Sequence, residues 1–226
     1  LDTNRMDYAA VTVNNDIYVF GGYDGTNVLN SVEIISRNGT SHTVELDPNS
    51  SLISRKGHKA VYYNGKIYII GGESEDGTPL NTLEVYNPET NTVELKKYMQ
   101  NARKDFGASL YLDNDKFYIA VAGGENSDGI LKSVEIYDFA SEEWISKQDM
   151  LTARKGFSLE FLMGKLFAVG GISSENENGT TYLNTCEGFN GENWVDLKDD
   201  SGNSICASKS RGYFGSVAAY NSVFIA

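Results

Sequence analysis

The fold is decided by the segment Tyr63-Asn64-Gly65-Lys66-Ile67-Tyr68-Ile69-Ile70-Gly71-Gly72. It contains a tight-turn signal, a short apolar strand and a glycine pair, and this order occurs four times along the chain. The glycine pairs are spaced 50, 52 and 47 residues apart: Gly21-Gly22, Gly71-Gly72, Gly123-Gly124 and Gly170-Gly171. A period of this length predicts a modular array in which each repeat is one supersecondary unit.

Two further markers occur in the same phase as the glycine pairs. An arginine begins each repeat: Arg5, Arg55, Arg103, Arg154 and Arg211. A later strand of each repeat contains a glutamate: Glu33, Glu84, Glu135 and Glu187. Turn signals such as Asn64-Gly65 and Asp76-Gly77 favour antiparallel hairpins, and no window of 11 or more residues shows a helical period. The sequence therefore predicts an all-β fold, a β-propeller with four strands in each blade.

The markers also divide the chain, which we expect to be a single propeller domain over residues 1–226. The predicted blades are residues 5–54, 55–102, 103–153 and 154–210, with a partial fifth blade at 211–226. The fifth repeat stops just before its glycine pair, and residues 1–4 resemble the tail of a preceding blade. We therefore expect a fragment of a longer ring, whose open strand edges favour self-association.

Residues 63–72 and the segment 20–33 (Phe-Gly-Gly-Tyr-Asp-Gly-Thr-Asn-Val-Leu-Asn-Ser-Val-Glu) resemble the consensus of the kelch family. The aromatic pair of that family has two counterparts here: Tyr137 with Trp144, and Phe189 with Trp194. Three positions depart from the family pattern: Ile35, Val44 and Val93. The resemblance spans the whole chain and implies a kelch-type β-propeller. It does not select a function, because kelch propellers serve many unrelated tasks.

The charge of the chain limits its partners. Thirty-one acidic and nineteen basic side chains give a formal net charge of −12 and a pI near 4.6. Such a surface disfavours nucleic acids and anionic membranes, because affinity for both depends on basic residues. The longest apolar stretch, residues 117–122, is far shorter than the roughly 20 residues that span a bilayer. We therefore expect no nucleic-acid or membrane partner.

A search for catalytic and metal-binding patterns identifies no site. The two histidines, His42 and His58, have no zinc-type spacing, and the acidic loops after the glycine pairs lack the calcium-loop pattern and fit solvated hairpin tips. Cys186 aligns with apolar strand positions, so we expect a buried free thiol rather than a disulfide with Cys206. No catalytic residue, metal ligand or cofactor is predicted.

The leading hypothesis is a non-catalytic protein-interaction module, a substrate receptor or scaffold that binds a protein or peptide through loops on one face. The resemblance implies one alternative: a kelch-like propeller enzyme, either an oxidase or a sugar epimerase, with part of its site outside this chain. A copper oxidase of that group needs two histidine ligands, and the two histidines here occupy unrelated repeat positions. Nothing favours a third reading, a structural role in actin or axonemal scaffolding. The compartment is left open, with the cytoplasm favoured over the extracellular space.

The candidate binding residues are Arg55, Arg103 and Arg154. The resemblance implies this role, because arginines at this position in kelch substrate receptors grip acidic peptide segments. Each of the three is followed by a lysine, so we expect a basic collar around the axis that recognises carboxylates through the guanidinium fork. The alternative is that each arginine ties its loop to carbonyl groups of the neighbouring blade.

Overall fold

Antiparallel sheets account for most of this computed structural model, which describes residues 1–198, 201–202, 206, 209–219 and 222–225. Over those residues the chain contains strands, turns and bends but no helix, and hence no helix suited to crossing a membrane. Four sheets have four strands each, as the repeats predict. The predicted all-β class is confirmed.

Leu1–Lys104 forms one compact unit with two of these sheets. The strands of its first sheet are β1 (Ala9–Val13), β2 (Asp16–Phe20), β3 (Val32–Ile35) and β4 (Ser41–Thr43). The strands of its second sheet are β5 (Lys59–Tyr63), β6 (Lys66–Ile70), β7 (Leu83–Asn87) and β8 (Thr92–Leu95). In both sheets the spatial order follows the chain order, and β1 contacts β5.

Asp105–Ala226 forms the second compact unit. One sheet consists of β9 (Gly107–Asp113), β10 (Lys116–Ala122), β13 (Val134–Asp138) and β14 (Glu143–Lys147). The other consists of β15 (Ser158–Leu162), β16 (Lys165–Val169), β19 (Cys186–Phe189) and β20 (Trp194–Asp196). The two-stranded hairpins are β11 (Glu125–Asn126) with β12 (Gly129–Ile130), β17 (Ile172–Asn176) with β18 (Gly179–Tyr182), and β21 (Ser216–Ala219) with β22 (Ser222–Ile225). The first strands β9, β15 and β21 contact one another in sequence.

The glycine pairs are needed where one sheet packs closely against the next. Gly72 has a φ of +101°, and a Cβ on it would lie 2.7 Å from the carbonyl oxygen of Lys56 and 2.8 Å from the Cβ of His58. Real Cβ atoms do not approach other heavy atoms so closely, and an L side chain rarely adopts that φ. The glycine pair therefore permits one sheet to pack closely against the next.

The aromatic pairs belong to the core. The rings of Tyr137 and Trp144 face each other across β13 and β14 with centroids 5.3 Å apart, and those of Phe189 and Trp194 lie 5.2 Å apart. Both tryptophans are buried, and the Trp194 indole N–H donates to the carbonyl of Gln148 at 3.1 Å. These contacts stabilise the packing between strands, as expected for large apolar side chains.

One expectation about the core is wrong. Cys186 is buried in β19, as its alignment with apolar positions predicts, but it forms a disulfide with Cys206. The Cα atoms are 5.8 Å apart, and the bond closes a span of 20 residues. The alignment of the repeats could not indicate this partner, because it places Cys186 but offers no equivalent position for Cys206.

Candidate functional site

Three of the arginines that begin a repeat are buried rather than exposed on a loop: Arg55, Arg103 and Arg154. The guanidinium of Arg55 is 0% exposed. It donates to the carbonyl of Gly71 at 2.8 Å and to that of Ile53 at 3.3 Å, and it forms an ion pair with Glu84. Burial lowers the pKa of Arg55, and the charge of Glu84 opposes that shift. The side chain therefore joins the glycine turn and the third strand of its own sheet.

The same arrangement recurs in the second compact unit. Arg154 is also 0% exposed, donates to the Gly170 carbonyl at 2.7 Å and pairs with Glu187 at 2.6 Å. Arg5 repeats the pattern with the Gly21 carbonyl, at 2.8 Å, and with Glu33. In each case the arginine and the glycine are separated by 16 residues.

The glutamate of each pair also holds the segment that leads into the repeat. Glu187 accepts hydrogen bonds from the backbone N–H groups of Leu151 at 2.6 Å and Thr152 at 2.9 Å. Glu84 accepts one from Ile53 at 3.2 Å, and burial raises its pKa while Arg55 lowers it. Each carboxylate thus bonds both the arginine and backbone donors, which compensates for its removal from water.

These positions bear directly on the predicted binding residues. Arg55, Arg103 and Arg154 are all fully buried, so none presents its guanidinium fork at the surface. Direct contact between these arginines and a partner stays a prediction. At Arg55 and Arg154 it requires the partner to replace a buried glutamate. The contacts of Arg55 and Arg154 favour the alternative, a bracing role in which each arginine ties its loop to backbone carbonyl groups. These carbonyl groups belong to the arginine's own sheet rather than to the neighbouring one.

The lysines that follow the arginines do reach solvent in the first unit. Lys56 and Lys104 are partly exposed, and both contact the carboxylate of the buried Glu73, Lys56 at 3.3 Å. Glu73 follows a glycine pair and was expected in a solvated hairpin tip, so that expectation is wrong for this residue. Two ammonium groups around one carboxylate leave this part of the surface with a net positive charge.

The charge balance is reversed in the second unit. Lys155 is buried and pairs with Glu125 at 2.9 Å and with Glu175 at 2.6 Å. Burial lowers the pKa of Lys155, but its hydrogen bonds and charge interactions with Glu175 and Glu125 raise it, and the net shift is upward. One ammonium between two carboxylates leaves a net negative charge. The expected basic collar is therefore an arrangement of lysine–glutamate pairs.

Backbone hydrogen bonds also join equivalent positions of successive repeats, and we call this series of bonds the ladder. The residue two positions after each repeat arginine has a positive φ: Asp7, Gly57, Asp105, Gly156 and Tyr213. The N–H of Gly57 donates to the Asp7 carbonyl at 2.9 Å, and in the second unit Gly156 donates to Asp105 at 2.8 Å and Tyr213 to Gly156 at 2.7 Å. Because these bonds join successive repeats, they hold the starts of the first strands at fixed spacing.

Tyr213 is the most prominent side chain of this ladder. It is 60% exposed, its ring lies over Gly156, and its hydroxyl donates to Asp105 at 3.1 Å. Partial burial raises the pKa of Tyr213, and the carboxylate of Asp105 acts in the same direction. An exposed tyrosine on a rigid backbone is the kind of residue that supplies much of the binding energy at protein interfaces. We call Tyr213, Asp105, Lys155, Glu125 and Glu175 the tyrosine cluster.

Sequence reasoning did not identify the tyrosine cluster. The signal that could have identified it is positional, because Tyr213 stands two residues after a repeat arginine where the other repeats have aspartate or glycine.

The remaining polar candidates add no site. His58 is buried and packs near both glycine pairs of the first unit, whereas His42 is exposed on β4. Within the described residues, no group of three His, Cys, Asp or Glu is placed to hold a metal ion.

Comparison with known proteins places these features in a wider context. The family model described as the KLHDC2/KLHL20/DRC7 Kelch-repeats domain matches residues 2–223. Kelch-like protein 40 of Mus musculus is 33% identical over 169 residues, which cover 73% of this chain and 26% of that protein. Kelch-like protein 41a of Danio rerio is 32% identical over 123 residues, or 54% of this chain and 20% of that protein. The chain thus spans about a quarter of the length of the curated relatives it matches.

A structural comparison gives the same fold. The solved structure titled "Structure of YjhT" superposes with a TM-score of 0.81, covering 98% of this chain and 76% of that one. The two sequences are 16% identical in the superposed region, so the likeness concerns the fold alone. Together with the four-stranded sheets, it confirms the predicted β-propeller.

Proposed function

Because the chain belongs to the kelch-repeat family, we propose that it is a non-catalytic protein-interaction module that recognises a protein or peptide partner through one face. The observation that carries this proposal is the tyrosine cluster, in which Tyr213 is exposed while its backbone is fixed by the ladder bond to Gly156. Preorganised side chains lose little conformational entropy on binding, and a rigid tyrosine therefore favours association.

The partner of the first unit is proposed to present an acidic segment. Lys56 and Lys104 share the carboxylate of Glu73, so the positive charge there is only half neutralised. A glutamate or aspartate of a partner adds the second carboxylate that completes two ion pairs. Arg55 supports this surface indirectly, because its contacts fix the backbone that leads to Lys56.

The test is quantitative capture of binding proteins with three variants of the chain. Tyr213→Ala removes the exposed ring, and the double variant Lys56→Glu/Lys104→Glu reverses the two lysine charges beside Glu73. The control Lys66→Glu reverses an exposed lysine charge at the first residue of β6. A protein that binds through the tyrosine cluster is lost with Tyr213→Ala, and one that binds through the lysines of the first unit is lost with Lys56→Glu/Lys104→Glu. Both are retained by Lys66→Glu.

The proposal is contradicted if the unchanged chain and all three variants capture the same proteins in equal amounts. Circular dichroism and thermal melts of each variant distinguish a lost contact from a lost fold. Measuring the lost interaction at increasing salt then tests the acidic-segment proposal, because exposed ion pairs weaken as salt screens them. A salt-independent interaction in the first unit is evidence against an acidic segment.

A further inference from the structure

Two hairpin turns of the chain carry the same tripeptide, Asn-Gly-Thr. Residues 38–40 lie between β3 and β4 in the first unit, and residues 178–180 begin in the turn between β17 and β18 in the second. Both asparagines are exposed, and the glycines that follow them have φ values of +85° and +128°. A tight turn favours Asn-Gly but does not require threonine next, and the turn at residues 64–66 between β5 and β6 has lysine there.

The threonine completes the acceptor pattern for an N-linked oligosaccharide, which needs a hydroxyl residue two positions after the asparagine. In the first unit that hydroxyl lies at the amide it serves. The Thr40 hydroxyl donates to Asn38 Oδ1 at 2.7 Å, and the Thr40 backbone N–H donates to the same oxygen at 3.0 Å. Such turns are typical of asparagine, whose side chain bonds the backbone two residues further on. Both bonds use the amide oxygen, so neither engages the amide nitrogen to which the sugar is attached.

The second turn is equally open to solvent. Residues 175–179 are all exposed, and the backbone N–H of Asn178 donates to Asn176 Oδ1 at 2.9 Å within the same turn. A sugar on either asparagine therefore displaces no packed side chain. A third acceptor pattern, at residues 49–51, differs because Ser50 accepts a hydrogen bond from the N–H of Val93 at 3.2 Å, which holds that segment against β8. We leave this third pattern out of the proposal.

The disulfide Cys186–Cys206 is a second observation, independent of the turns, that bears on the compartment. Both cysteines of the chain are in this bond, and Cys186 is 1% exposed, so the bond belongs to a packed sheet. Structural disulfides form and persist in oxidising compartments such as the lumen of the endoplasmic reticulum and are rare in the cytosol. That lumen is also where oligosaccharides are attached to asparagine. The disulfide thus favours this route over the cytoplasm that the sequence favoured.

We propose that Asn38 and Asn178 are sites of N-linked glycosylation and that the chain folds in the lumen of the secretory pathway. The donor is an oligosaccharide joined to a lipid through a pyrophosphate. The side-chain amide nitrogen attacks the anomeric carbon of the first sugar and forms an N–C bond. The C–O bond to the pyrophosphate breaks, the lipid pyrophosphate leaves with its electron pair, and the nitrogen loses one proton.

The test uses the native protein, isolated from the cells that express it with iodoacetamide present to block free thiols. Its peptides are analysed by mass spectrometry after treatment with peptide N-glycosidase in heavy-oxygen water, which converts each glycosylated asparagine to a labelled aspartate. We expect the label at Asn38 and Asn178. Asn64 is the matched control, because it lies in an exposed Asn-Gly turn but is followed by Lys66 and should carry no label. A digest without the glycosidase measures spontaneous deamidation.

Variants of the full-length protein, expressed in the same cells, complete the experiment. Thr40→Ala and Thr180→Ala should each remove one oligosaccharide while the asparagine remains, whereas Thr40→Ser should retain it. If a variant does not fold, the label on the native protein still decides. An unlabelled asparagine at either turn of the native protein overturns the assignment at that turn, and unlabelled asparagines at both overturn the whole proposal. Alkylated cysteines in place of the disulfide overturn the proposed compartment.

Discussion

Replacing Arg154 by alanine tests whether the repeat arginines brace the fold. The side chain is fully buried and bonds the Gly170 carbonyl and Glu187, while Glu187 also holds the N–H groups of Leu151 and Thr152. The substitution leaves a buried carboxylate without its counter-ion, and removing one partner of a buried pair costs about 3–5 kcal/mol. For a chain of this length we expect the melting temperature to fall by about 6–20 °C.

The assay is thermal unfolding followed by circular dichroism, with urea titration as a second measure of the free energy of unfolding. Arg37→Ala is the matched control, because Arg37 is exposed and should change stability by no more than about 0.5 kcal/mol. The double variant Arg154→Met/Glu187→Met should be more stable than Arg154→Ala, because it leaves no unpaired buried charge. A melting temperature for Arg154→Ala within about 2 °C of the unchanged chain refutes the bracing role and favours a binding role.

Two further predictions follow from burial and from the disulfide. Burial holds the pKa of His58 well below the ordinary value of 6.5, and the charge of Arg55 acts in the same direction. The unfolded chain therefore binds a proton that the folded chain does not, and stability present above pH 6.5 should be lost below it, by up to about 1.4 kcal/mol per pH unit. Urea titrations from pH 7.5 to 5 should show this loss reduced in His58→Phe and retained in His42→Gln; equal slopes in all three chains contradict it. Reduction of Cys186–Cys206, which closes a span of 20 residues, should cost about 3 kcal/mol. Melts with and without dithiothreitol measure this cost, and a Cys186→Val/Cys206→Ser variant that still responds to the reductant contradicts the assignment.

The order of strands could be predicted because the same markers return at a nearly constant spacing. A turn before an apolar strand and a glycine pair after it specify a hairpin edge and a close approach of backbones, and both are local features. The structure agrees, since the segment from Tyr63 to Gly72 forms the end of β5, the turn, β6 and the glycine pair. Repetition then distinguishes this pattern from a chance occurrence.

The pairing of the arginines with glutamates could not be predicted in the same way. The arginine and the glutamate were both recognised as markers, yet they are 28, 29 and 33 residues apart in the three pairs. Thirty-one acidic residues offer many candidate partners, and no local rule selects one of them. The choice depends on which side of the third strand faces the glycine turn, which is a property of the packed sheet. For the same reason the sequence suggested an exposed collar where the structure has buried pairs.

The one residue of the ladder that the repeat does not explain is Tyr213. Aspartate and glycine, which occupy the equivalent positions in the other repeats, tolerate a positive φ, whereas a bulky side chain there is under strain of the order of 1–3 kcal/mol. Burial does not compensate fully, because more than half of this side chain is exposed, and its hydrogen bond to Asp105 is at the surface. Folding alone therefore favours glycine at this position. A strained and exposed tyrosine is instead what a binding surface uses, because a partner that covers the ring gains apolar contact with a side chain whose orientation is already fixed.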